Sequence, residues 1–67
     1  MKMEYDKEAD AAYIYLAKKK IGGVAKTGHF SEEIKIDFGF DDKLYGIEVL
    51  GASKRIKKEE LEKAEPL

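Results

Sequence analysis

Cysteine, tryptophan, asparagine and glutamine are all absent from this chain of 67 residues, and His29, Arg55 and Pro66 are the single histidine, arginine and proline. Without cysteine there are no disulfides and no thiolate metal sites. One histidine cannot build a histidine-rich metal centre. No apolar run approaches the eighteen or more residues of a membrane span. The opening Met1-Lys2-Met3-Glu4-Tyr5-Asp6 turns acidic at once and lacks the apolar core of a signal peptide. A cytoplasmic protein away from membranes is therefore expected. Charge of one sign is also missing: 13 Lys and Arg stand against 14 Asp and Glu, a net charge of −1. So balanced a mixture gives no overall field towards nucleic acid or anionic lipid.

What is present is charge in quantity, 40% of residues, nearly all of it Lys, Glu and Asp. That bias, with few thermolabile residues, is the composition of hyperthermophile proteins. The length allows one domain, residues 1–67. A domain this small buries only about 60% of the surface its unfolded chain exposes. Small scaffolds compensate with disulfides, metals, unusually good packing or oligomerisation. Cysteine and histidine usage points to the last of these, and a homodimer is the expectation.

Along the chain, Met3 and Tyr5 alternate with Lys2 and Glu4, a first strand over about 2–5. Ala11–Ala17 has aromatic and β-branched residues at its centre, favouring a strand over 11–17. It is apolar on both sides, with Ala12, Ile14 and Leu16 opposite Tyr13 and Tyr15. Lys18-Lys19-Lys20 and Gly22-Gly23 form a connection. Residues 24–30, interrupted by Gly28, suit an edge strand. Ile34, Ile36, Phe38 and Phe40 give the clearest period of two, a strand over 33–40, and Asp41-Asp42-Lys43 turns it into a partner over 44–50 with Tyr45, Ile47 and Val49 on one face. Residues 57–65 read as a terminal helix in which Ile56 and Leu61 have the spacing of a hydrophobic staple around a Lys57 N-cap. The fold class is α+β: an antiparallel β-meander of four to five strands with a short C-terminal helix.

Two elements carry a family resemblance: Tyr5-Asp6-Lys7-Glu8-Ala9-Asp10 at the start, and Gly46-Ile47-Glu48-Val49-Leu50-Gly51-Ala52-Ser53 at the end. With Ile36-Asp37-Phe38 before an acidic turn, the chain resembles the prokaryotic family catalogued as domain of unknown function 2283 over roughly Met3 to Ile56. The resemblance implies a small β-rich domain without an assigned activity or catalytic residues. Relatives found beside toxin-like small proteins imply an antitoxin-like or accessory role with a small protein partner.

Sites of chemistry fare poorly. Asp6, Glu8 and Asp10 alternate as in a calcium loop, but Ala11 and Ala17 stand where such a loop needs Gly and Glu, so a solvated turn is preferred. Asp37, Asp41, Asp42 and Glu48 sit on or beside one hairpin, where pairing with Lys35 or Lys43 is a cheaper reading than acid–base catalysis. Ser31, Ser53 and His29 follow no Gly-x-Ser-x-Gly elbow, and no phosphate-binding glycine pattern occurs. Accordingly no catalytic residue, metal or cofactor is assigned. The candidate interaction surface is Tyr13, Tyr15 and Tyr5, since an apolar second face needs a cover. The alternative is a nucleic-acid binder or small nuclease that would join Lys18, Lys19, Lys20, Lys54 and Arg55 to the tyrosines. It ranks second because Glu59, Glu60 and Glu62 follow the second basic run.

Overall fold

The computed structural model describes residues 1–67. Strand β1 (Lys2–Asp6) pairs antiparallel with β2 (Ala11–Tyr15), so that Tyr5 lies opposite Ala12 and Glu4 opposite Tyr13. The turn between them is held by Asp6, whose Oδ1 accepts the N–H groups of Glu8 and Ala9 at 3.1 and 3.2 Å, and by Asp10 at φ 52°. Strands β3 (Lys26–His29), β4 (Ile34–Phe38) and β5 (Leu44–Leu50) form an antiparallel meander. The two units join through β2 and β5, paired from Ala11–Leu50 to Tyr15–Gly46. After β5 come α1 (Ala52–Arg55), α2 (Lys58–Lys63) and a two-residue strand, β6 (Glu65–Pro66), parallel to β1.

The sheet order is β3-β4-β5-β2-β1-β6. The fold is α+β and mostly antiparallel with a short C-terminal helix, as the sequence implies, with six strands. The meander is local to β3–β4–β5. From β2 the chain crosses the ends of β5 and β4 to reach the edge, a Greek-key path. Along it Leu16 and Ala17 donate to the Tyr45 carbonyl at 2.9 and 3.1 Å, and Ala25 donates to the Phe38 carbonyl at 2.8 Å.

Several sequence boundaries need correction. The fourth strand ends at Phe38 rather than residue 40, because Gly39 opens the turn to Lys43 and Phe40 is left 77% exposed. The edge strand shortens to Lys26–His29 and the second strand stops at Tyr15. The terminal helix stops at Lys63 rather than 65: Pro66 drives its predecessor out of helical geometry, and Glu65–Pro66 pairs with β1 instead. Lys57 is the N-cap of α2 as the staple spacing requires, and Ile56 and Leu61 both pack on the core.

That core is thin. It consists of Ala12, Val49 and Ala52, flanked by half-buried Met3, Tyr5, Ile47, Ile56 and Leu61, and lies between one face of the sheet and the helices. Full burial of a Val- or Leu-sized side chain contributes about 1.5–3 kcal/mol. No large side chain here is fully buried.

Candidate functional site

Residues paired directly across strands point to the same side of a sheet. The registers therefore place Glu4, Tyr13 and Glu48 on the face opposite the helices, with Lys2, Tyr15, Lys35, Asp37 and Thr27 beside them. Tyr45 joins them, contrary to its expected place with Ile47 and Val49. A register shift between Asp37 and Phe38 sets Phe38 opposite Leu44 and Asp37 opposite Gly46. The extra residue, Tyr45, is turned to the other side.

Three rings then form a shelf. Tyr13 and Tyr15 have centroids 4.7 Å apart, and Tyr15 meets Tyr45 edge-on at 6.1 Å. Tyr13 lies across Gly46, where any Cβ would overlap its ring and hydroxyl. Gly23 of the crossing loop is buried against Tyr45, and a Cβ there would come within 2.7 Å of that ring. Glycine is needed at both positions for close approach.

Each hydroxyl of the shelf has a partner. The Tyr13 phenol donates to Asp37 Oδ2 at 2.5 Å, and Thr27 donates to Oδ1 of the same carboxylate. Tyr15 donates to Glu4 Oε1 at 3.2 Å, while Lys19 reaches Glu4 Oε2 at 3.1 Å and stands over the Tyr15 ring. Tyr45 accepts the Lys20 N–H at 2.9 Å and donates to the Lys20 carbonyl. The electrostatics follow from these contacts. The Lys19 ammonium bonded to Glu4 holds that carboxyl below its ordinary range and raises the Lys19 pKa in turn. Burial first, then the Asp37 bond, pushes the Tyr13 phenol well up; burial first, then the Glu4 charge, raises Tyr15. The rings and the loop residues Lys19, Lys20, Ile21 and Val24 border an open concavity of about 380 Å³. Ile21 is fully exposed at its lip.

Tyr5 does not share this shelf. It lies on the helix face, where its hydroxyl donates to Asp10 Oδ1 at 2.6 Å. Asp10 also accepts the Ser53 hydroxyl at 2.7 Å and the Ser53 N–H at 2.9 Å, and the Asp10 carbonyl accepts Ala52 N–H at 2.9 Å. These bonds lower the Asp10 pKa, the Tyr5 phenol acting most strongly, and raise that of Tyr5. The clamp joins the β1–β2 turn to the start of α1, with Gly51 at φ 63° making the reversal.

The basic residues are also divided. Lys18, Lys19 and Lys20 follow β2, beside the start of β5. Lys54 and Arg55 lie beyond its end, separated by the seven residues of β5, roughly 23 Å of strand. Arg55 pairs with Glu33 at 3.5 Å. The hairpin acids do not converge either: Glu48 pairs with Lys35, Asp42 with Lys26, and Asp41 accepts the Lys43 N–H. Ser31 accepts the N–H groups of Glu33 and Ile34 in the turn after His29.

Sequence reasoning missed Glu4, Asp37 and Tyr45 as parts of the shelf. The one available signal was Gly46 beside Tyr45 in the middle of a strand, the mark of a bulge or a close approach.

No curated protein and no solved structure matches the chain. The two signature elements, which the Tyr5–Asp10–Ser53 clamp brings together, fall within residues 2–53, and over those residues the chain matches the sequence model described as "Protein of unknown function (DUF2283)". It belongs to that family.

Proposed function

We propose that this protein is a non-enzymatic interaction domain that works as a homodimer and holds a small protein partner, as an antitoxin-like or accessory subunit does. One observation supports the reading: the single chain exposes more surface than a folded monomer of its mass. Its accessible surface is 5064 Å², whereas a folded monomer of 7.6 kDa has about 4,300 Å². The excess approaches the ~800 Å² that each partner gives to a standard interface.

The tyrosine shelf supports the hetero-partner half of the reading. Tyrosines locked by hydrogen bonds offer broad amphipathic contact with little ordering cost on binding. Ile21, exposed at the lip, supplies an apolar anchor. The side chains of the hairpin acids are engaged with lysines, backbone or tyrosine, which favours adhesion over proton transfer. Affinity capture from the native host with wild type and with Ile21→Asp tests it. A single small protein should be recovered with wild type and lost with the variant. Recovery unchanged by Ile21→Asp contradicts the assignment of the shelf.

The nucleic-acid reading retains one favourable observation, the adjacency of Lys18–Lys20 to the shelf. Titration with short single-stranded RNA at low salt is expected to show no saturable binding. Saturable binding that weakens steeply with salt would replace the present reading.

A further inference from the structure

The helices cover only part of their own face. Ala12 and Val49 are buried beneath them, but the next row of paired residues, Ile14–Ile47–Ile36, is half-buried, and beyond it Phe38 lies opposite Leu44, which is 51% exposed. The chemistry of this uncovered half is unlike that of the tyrosine side. Its paired positions on β2, β4 and β5 carry no charge, whereas the opposite positions on the same strands and β1 carry Glu4, Lys35, Asp37 and Glu48. Its border is charged: Lys26 pairs with Asp42 at 2.9 Å while lying over the Phe38 ring, and Lys18, Lys20 and Lys43 edge a concavity shared with Leu44. Gly28, paired with Ile36 on the outermost strand, keeps that side flat.

Resting on the homodimer reading, we infer that a second copy of this chain packs on the aliphatic surface of β2, β4 and β5, sheet against sheet, with Ile36 and Ile47 at the centre. An isologous contact sets a surface against itself. An uncharged patch can meet its copy without desolvating any ion pair, which a charged one cannot. The excess accessible surface of the whole chain is close to one side of a standard interface. Two such layers at about 10 Å would enclose a dry core. The tyrosine shelf then remains outside the dimer, free for a different partner.

Two matched substitutions separate this surface from the other. Leu44→Asp places a charge at a position half-exposed in the single molecule, and Ile21→Asp places the same charge beside the shelf. By sedimentation velocity, with circular dichroism as the check on folding, Leu44→Asp should weaken dimerisation at least 100-fold and Ile21→Asp should leave it unchanged. A dimer that survives in folded Leu44→Asp overturns the inference. If Ile21→Asp dissociates the dimer instead, self-association stands but this surface is wrong; if wild type is monomeric throughout, both readings fall. Isotope-filtered NMR on a mixed-label wild-type sample decides the matter even where Leu44→Asp does not fold. Methyl contacts between protomers at Ile36 and Ile47 are expected, and their absence overturns the inference.

Discussion

At Gly46 the strand has no side chain because Tyr13 occupies the space where one would be. Gly46→Ala forces the ring off the strand and is expected to cost about 1–3 kcal/mol, as overpacking does. Gly28 is the contrasting case. A Cβ there meets Phe38 at 3.8 Å, ordinary contact, so Gly28→Ala should stabilise by about 0.5 kcal/mol through the unfolded chain. Urea denaturation of the two variants checks both signs. Titration gives a second test at this scale. Glu4 and Asp10 have folded pKa values below their unfolded ones, so their contribution is present above about pH 4 and is lost as acid carries the protein through the folded values. Asp10→Asn should lower stability at neutral pH and flatten the acid limb of the stability curve. The phenols behave in the opposite sense. Tyr5, Tyr13 and Tyr15 are raised, so their contribution is complete below about pH 10 and is lost as pH climbs through the folded values. Ultraviolet titration should show a group of phenols ionising later than free tyrosine. Ionisation of Tyr13 and Tyr15 in the ordinary range would contradict the hydrogen-bonded shelf.

Among the elements, the C-terminal ones bind unequally. Leu61 anchors α2 to the core, and Leu61→Ala should cost about 1–2 kcal/mol, less than a fully buried leucine. Strand β6 is held by two residue pairs of parallel pairing, a Leu67 N–H to Tyr5 carbonyl bond at 3.2 Å and an exposed Lys2–Glu65 pair at 3.6 Å. Deleting residues 65–67 should change stability by less than about 1 kcal/mol. Thermal denaturation distinguishes these outcomes. The elements also show where sequence patterning reaches its limit. The β4–β5 hairpin was legible because Ile34, Ile36 and Phe38 alternate cleanly against an acidic turn, and the Lys57 cap was legible from Ile56 and Leu61. Both are local signals. The position of Tyr45 was not legible, because a bulge is set by the pairing of β5 with β4 and breaks the alternation that assigned it to the core side. The separation of Tyr5 from Tyr13 and Tyr15 is hidden for a related reason: which tyrosine shares a face depends on the β1–β2 register, which sets Tyr5 against Ala12. The pairing of β5 with β2, and of β6 with β1, is non-local and left no mark in the spacing of residues.

For the molecule as a whole, the two sheet faces differ in kind. One is a hydrogen-bonded tyrosine and ion-pair surface that is complete in a single chain. The other is aliphatic, and two short helices cover only part of it. A 67-residue chain without cysteine has no covalent means of offsetting so small a core. We propose that the missing apolar burial comes from a second copy. Sedimentation equilibrium of the wild-type chain from micromolar to millimolar concentration tests it most directly. The expected result is a single reversible association reaching twice the chain mass of 7.6 kDa, with thermal stability rising as the dimer fills. A folded species that keeps the mass of one chain at every concentration, with a concentration-independent melting temperature, would contradict the account.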